Sequence, residues 1–138
     1  MKGLRRTILF VPANNARMVE KASKLNSDMV LLDCEDSVPQ SEKLSARNMA
    51  CEALKTNVWN DKEIGVRING LDTPLWLEDL KRVAEASPDF VVVPKIEAAH
   101  EVALIDQLIR HYRGSSEKLA KIVVAIENAK GLLILGRY

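Results

Sequence analysis

Five short runs rich in valine, isoleucine and leucine recur along the chain, and segments of helical periodicity separate them. The runs are residues 7–11, 29–32, 64–68, 90–93 and 122–126. They lack the strict apolar–polar alternation of a sheet with one solvated face, which predicts strands covered on both faces, as in a parallel sheet. The order βαβαβαβαβ therefore predicts an α/β fold with right-handed crossovers.

Size and charge narrow the classes of function. With 138 residues and 47% hydrophobic content, the chain can form one domain with a real core. Twenty Lys and Arg against nineteen Asp and Glu leave a formal net charge of +1, without the basic block of a nucleic-acid or anionic-membrane surface. No run reaches the roughly 18 apolar residues of a membrane span. We therefore expect a cytoplasmic protein, or one of an organelle matrix, with no nucleic-acid or membrane partner.

Polar residues follow all five predicted strands. In chain order they are Asn14, which follows Pro12 at the first strand end, then Asp33, Glu35 and Asp36, then Arg67 and Asn69, then Lys95, and last Glu127. Parallel α/β folds assemble their sites at the carboxyl ends of the strands, because the loops converge there on a rigid scaffold. We therefore predict a functional site at that end of the sheet.

The acids in this set allow two interpretations. The three acids after the second strand repel one another unless a positive group lies between them, and the candidates are Arg67, Lys95 and a divalent cation. Alternatively, these acids only cap the next helix or pair with Lys95. Glu127 is likewise either a site residue, a counter-ion of Arg67, or a favourable charge near a helix N-terminus.

Five motifs carry a family resemblance. They are RRTILFVPANN, LLDCEDSVP, VRING, VVVPKIE and VAIENAKGLL. Their order and spacing resemble those of the citrate lyase beta-subunit-like proteins, which are CoA-ester lyases of the HpcH/HpaI aldolase superfamily and include citryl-, malyl- and citramalyl-CoA lyases. The resemblance extends over nearly the whole chain, from about Arg6 to Leu133.

The resemblance implies a parallel (β/α)₈ barrel of the TIM type. A complete barrel takes about 250 residues, so we expect residues 1–138 to be a single, truncated domain with about five of the eight βα units. In the family, the second acidic metal ligand and an acid that completes a neighbouring subunit's site lie further along the chain. The resemblance thus implies a homo-oligomer, a trimer in full-length relatives. Unpaired edges of the first and fifth strands predict that the isolated chain self-associates or is poorly stable.

The resemblance also implies roles for individual residues. Glu127 is expected to bind Mg²⁺, while Glu35 and Asp36 are expected to line the catalytic pocket beside the metal. Arg67 is expected to act in catalysis and to hold the carbonyl and carboxylate oxygens of the substrate, a task suited to its fork of donors. The other implied substrate-binding residues are Phe10, Pro12 and Asn14 on the CoA side, together with Asn69 and Lys95. For Lys95, an ion pair is the alternative role.

The reaction implied is Mg²⁺-dependent carbon–carbon cleavage of a 3-hydroxyacyl-CoA thioester into an acyl-CoA and a 2-oxo acid. One alternative is a catalytically inactive remnant or fragment of such a lyase. Another, from a different class, is a receiver-like regulatory α/β domain. The receiver-like interpretation predicts an aspartate at the end of the third strand, where this chain has Arg67, Ile68 and Asn69.

Overall fold

The computed structural model describes residues 3–116 and 118–137, and it contains the five predicted strands. The strands are β1 (Ile8–Pro12), β2 (Met29–Asp33), β3 (Glu63–Arg67), β4 (Phe90–Val93) and β5 (Lys121–Val124). The helices are α1 (Ala16–Lys24), α2 (Lys43–Leu54), α3 (Trp76–Glu85), α4 (Ala99–Arg113) and α5 (Ala129–Leu133), with 3₁₀ turns at Gln40–Glu42 and Leu135–Arg137. In the part of the chain that is described, no helix has the length and apolarity to cross a membrane.

The order of the strands decides the fold class. Each strand pairs in parallel with the next one along the chain, in the order β1-β2-β3-β4-β5. Right-handed crossovers in a sheet that never reverses direction put the connecting helices on one face, which is the arrangement of a (β/α) barrel. A receiver-like domain has the order 2-1-3-4-5 instead. The receiver-like interpretation is therefore wrong for this chain, and the prediction of an incomplete barrel of five βα units is confirmed.

The two faces of the sheet differ in what covers them. Outward-facing strand residues such as Val30 and Val66 are fully buried in one cluster with residues of α1 to α4. The concave face carries a smaller cluster around Leu31 and Phe90, formed by strand residues and Ala125. Phe10 is paired in register with Leu31 and so lies on the same concave face, where it is 52% exposed. The main core therefore lies between the sheet and the helices. It fixes the positions of the strands, and the ends of these strands form the site.

Local signals fix the ends of several helices. Asn15 caps α1, because its side chain accepts a hydrogen bond from the backbone N–H of Met18. Asn128 caps α5 in the same way, through the N–H of Gly131. Gly114 ends α4 with a φ of 57°, a conformation that glycine adopts without steric cost. The caps at Asn15 and Asn128 set where the loops after β1 and β5 end.

Gly65 lies beneath the ring of Phe90 on the neighbouring strand. A Cβ at position 65 would lie 2.3 Å from that ring. We therefore expect Gly65→Ala to lower the free energy of unfolding in urea by about 1–3 kcal/mol, the usual cost of overpacking. Gly3→Ala is the matched control, because nothing lies within 4 Å of a Cβ at position 3. Equal losses in the two variants would contradict this explanation.

Candidate metal and substrate site

Three carboxylates from two loops meet at the carboxyl ends of the strands. Glu35 and Asp36 follow β2, and Glu127 follows β5, yet each offers an oxygen within 4.8 Å of an oxygen of the other two. Like charges at this separation disfavour joint ionisation unless a cation or a proton lies among them. Hard oxygen donors in such a group are the ligands that Mg²⁺ and Ca²⁺ prefer. The structure thus brings the three predicted acids together.

Glu35 is the buried member of this trio. The residue is 6% exposed, and among the described residues its Oε1 has no hydrogen-bond partner. Burial, followed by the hydrogen bond with Asp36, raises the pKa of Glu35 to about 7. The same hydrogen bond lowers the pKa of Asp36. A buried carboxylate oxygen without a partner is costly, and a cation at this position would remove the cost.

Arg67 is held by a bidentate ion pair with Asp33 at the carboxyl end of the sheet, which we call the rim. The Nε–Oδ1 and Nη2–Oδ2 distances are both 2.8 Å, and the two side chains are 13% and 2% exposed. Burial would raise the pKa of Asp33, but hydrogen bonds from Arg67, from the Ser37 hydroxyl and from backbone N–H groups outweigh burial and hold this pKa at about 2. The pair uses two of the five N–H donors of the guanidinium, so three can bind another acceptor.

The loop that carries Glu35 is fixed from two sides. Asp33 accepts the backbone N–H groups of Glu35 and Ser37 at 2.9 and 3.0 Å. From the other side, the Lys43 ammonium donates to the carbonyl oxygens of Cys34 and Glu35. Asp33 is one of the acids predicted at the site, whereas Lys43 was not predicted there. The structure shows that both residues hold the site loop in place.

Lys95 lies beside Glu127 and lines a pocket at the rim, the rim pocket. Its backbone N–H donates to Glu127 Oε2 over 3.0 Å, and its φ of 56° is left-handed. With Glu35, Asp36 and Asn69 it lines a pocket of about 360 Å³. Among the residues that the structure describes, the Lys95 ammonium forms no ion pair. The pairing of the acids with Lys95, one alternative from the sequence, is therefore not the arrangement observed.

Asn69 contributes to the rim from a buried network. Its backbone N–H and its side-chain amide both donate to Asp79 Oδ2, at 3.0 and 2.7 Å. The other carboxylate oxygen of Asp79 accepts from Arg47 Nε over 2.6 Å. The amide nitrogen of Asn69 is thus occupied by α3, and the network anchors the loop after β3 to helices α2 and α3. Its predicted role in substrate binding stays a prediction.

The residues predicted on the CoA side surround the end of β1. Phe10 lies under the Arg67 guanidinium, with 5.5 Å from Cζ to the ring centroid. Pro12 is the last residue of β1, and the Asn14 amide donates to Glu42 over 2.6 Å. Phe10 therefore helps to orient the arginine from the concave face. The predicted contacts of these three residues with substrate stay predictions.

Comparison with known proteins places the chain in a family. The profile of the HpcH/HpaI aldolase/citrate lyase family matches residues 6–136. The chain belongs to this family. The citrate lyase subunit beta of Leuconostoc mesenteroides subsp. cremoris is 39% identical to it over an alignment of 133 residues, and the match covers 94% of this chain and 44% of that protein. The L-malyl-CoA/beta-methylmalyl-CoA lyase of Rhodobacter capsulatus is 34% identical over 134 residues, 94% of this chain and 42% of that protein.

A solved structure extends the comparison to the fold. The protein CitE of Mycobacterium tuberculosis, in complex with magnesium, acetoacetate and coenzyme A, superposes with a TM-score of 0.71 at 27% identity. The match covers 94% of this chain and 43% of that chain. This chain therefore spans less than half the length of these three proteins. The family predicted from the five motifs is confirmed.

Proposed function

We propose that the rim binds Mg²⁺ and a CoA-thioester substrate as part of a carbon–carbon lyase site. The observation that carries the proposal is the convergence of carboxylate oxygens of Glu35, Asp36 and Glu127 within 4.8 Å. Relatives named citrate lyase subunit beta and malyl-CoA lyase support a 3-hydroxyacyl-CoA of the citryl-, malyl- or citramalyl-CoA type as substrate. A homo-oligomer is part of the proposal, as the resemblance to the family implies.

The residues present fit a magnesium ion. The trio offers only carboxylate oxygens, the hard ligands that suit Mg²⁺, and the buried Glu35 Oε1 has no partner in the described part of the chain. Glu127 would hold the ion directly, and Glu35 and Asp36 would hold it through water. Bound Mg²⁺ supplies Lewis-acid stabilisation of negative charge on the oxygens of the substrate.

Arg67 binds the oxygens of the 2-oxo acid half of the substrate. Its planar fork suits a carboxylate, and the pair with Asp33 and the ring of Phe10 prevent the guanidinium from turning away. The positive charge of Arg67 then stabilises the charge that develops on oxygen as the carbon–carbon bond breaks. In a complete barrel, the apolar concave face around Phe90 would exclude water and strengthen this interaction.

Binding of a 2-oxo acid tests the proposal. In calorimetric titrations with oxaloacetate, we expect saturable binding that requires Mg²⁺. Arg67→Lys is expected to weaken oxaloacetate binding by about tenfold or more, because a charged bidentate hydrogen bond is lost, and to leave Mg²⁺ binding unchanged. Glu127→Gln is expected to remove both. The matched control is Arg110→Lys on the exposed surface of α4, where the arginine pairs with Asp106. Oxaloacetate binding that is insensitive to Mg²⁺ or to Arg67→Lys would contradict the proposal.

A turnover assay separates the lyase from the inactive remnant. Malyl-, citramalyl- and citryl-CoA are each incubated with Mg²⁺ and the 138-residue chain. Turnover that is lost in Glu127→Gln would exclude the inactive remnant. Oxaloacetate binding without turnover of any thioester would support it.

A further inference from the structure

We propose that Lys95 positions the Glu127 carboxylate through its backbone N–H, and that the left-handed backbone at this position, not the ammonium group, is what the site requires. The inference rests on the proposed metal-binding role of Glu127. It assigns to Lys95 the task of a positioning residue that acts through another residue.

The backbone of Lys95 is in an unusual conformation. Its φ of 56° lies in the left-handed region, where the Cβ of an L-residue approaches the following carbonyl oxygen. Asparagine and glycine tolerate this region, whereas lysine has no side-chain group that compensates locally. Such strain persists where the surrounding structure determines it, and here it turns the Lys95 N–H towards Glu127 Oε2, 3.0 Å away.

The loops after β4 and β5 are locked together around this hydrogen bond. Glu97 accepts the Asn128 amide at 2.9 Å and the Lys130 ammonium at 2.8 Å. Gly131 packs so closely on the loop after β4 that a Cβ there would lie 2.5 Å from the carbonyl oxygen of Ile96. The contacts with Glu97 fix the main chain on one side of Glu127. The Lys95 N–H then fixes its carboxylate.

The ammonium of Lys95 is less constrained than its backbone. Lys95 is exposed, and within residues 3–116 and 118–137 its side chain forms no ion pair or hydrogen bond. The backbone N–H occupies Oε2 of Glu127, which leaves Oε1 for a cation. A fixed carboxylate with one free oxygen is better prepared for metal binding than a mobile one, because less rotational freedom is lost on binding.

Amide hydrogen exchange, followed by NMR on the intact chain, tests the hydrogen bond directly. We expect the Lys95 amide to be protected in the unaltered protein. In Glu127→Ala its exchange should be at least about tenfold faster, as the loss of a hydrogen bond to a charged acceptor implies. Equal exchange rates in the two proteins would overturn the inference. This measurement does not depend on metal binding.

Substitutions at position 95 then separate backbone from charge through Mg²⁺ affinity. Lys95→Gly and Lys95→Asn accept the left-handed conformation, so their affinities should stay within about threefold of the unaltered protein, since an exposed charge contributes little. Lys95→Val resists a positive φ, so its affinity should fall at least about tenfold. Lys95→Arg keeps the charge and should bind like the unaltered protein.

Ser87→Val is the matched control for backbone strain. Ser87 also has a left-handed φ, 64°, but it precedes β4 at the opposite end of the strand from the rim. Its substitution should lower stability and leave Mg²⁺ affinity unchanged. Equal loss of affinity in the glycine, asparagine and valine variants at position 95, with the arginine variant unaffected, would overturn the inference. Absence of Mg²⁺ binding in the unaltered chain would instead defeat the proposed function, and the exchange measurement would still decide the inference.

Discussion

Asp33→Asn is expected to lower the free energy of unfolding by about 3–5 kcal/mol, because breaking a buried ion pair leaves an uncompensated charge. The charge left behind is that of Arg67, whose side chain is 13% exposed. The substitution also weakens the acceptor for the backbone N–H groups of Glu35 and Ser37. Urea denaturation followed by circular dichroism measures the loss. Asp106→Asn, which alters an exposed pair with Arg110, is the control and should cost less than about 1 kcal/mol.

The same substitution has a pH signature. The pKa of Asp33 is held at about 2, below its ordinary value of 3.8, so the folded state favours the ionised carboxylate. The resulting stabilisation, at most about 2 kcal/mol, is present above pH 4 and is lost as the pH falls towards 2. Asp33→Asn should lack this part of the acid dependence. A loss of stability no larger than that of Asp106→Asn, or an unchanged acid limb, would contradict the role assigned to the pair.

Asp79→Asn is expected to have a comparable effect, about 3–5 kcal/mol in urea denaturation, for the same reason. Asp79 is 1% exposed and accepts Arg47 Nε together with the backbone and side-chain N–H groups of Asn69. An asparagine at position 79 would leave the Arg47 guanidinium buried without a counter-charge. Loss of the Asp79 carboxylate would also release the loop after β3, which forms one wall of the rim pocket.

A second variant and a control sharpen this prediction. Arg47→Met combined with Asp79→Asn should recover part of the lost stability, because no charge then stays buried and the amide oxygen at position 79 still accepts from Asn69. Glu52→Gln alters an exposed pair with Lys55 on α2 and should change stability by less than about 1 kcal/mol. The explanation fails if Asp79→Asn costs no more than Glu52→Gln, or if the double variant is no more stable than Asp79→Asn alone.

The strands and the position of the site were predictable because both depend on local patterns. Apolar runs marked each strand to within two residues, and polar residues at the strand ends marked the rim. The residues alone allowed a barrel or a doubly wound sheet. The family motifs favoured the barrel, and the strand order in the structure decides the question. Local sequence cannot show that order, because it depends on which strands pair.

The partners of individual site residues were not predictable. Asp33 and Arg67 are opposite each other only because β2 and β3 pair in one particular register, which no short motif shows. Lys43 lies at the start of α2 and contacts carbonyl oxygens of the preceding loop. This contact was not predictable, because a lysine on a helix is ordinarily expected to be a solvated surface charge. The left-handed φ of Lys95 has no sequence signal, since glycine or asparagine is the residue expected there.

The most direct test of the metal site is anomalous scattering from crystals of this chain grown with Mn²⁺ in place of Mg²⁺, since both ions prefer oxygen ligands. The proposal predicts a peak at about 2.1 Å from a carboxylate oxygen of Glu127, with Glu35 and Asp36 facing the same ion. A peak bound elsewhere, with none at the rim, would contradict it.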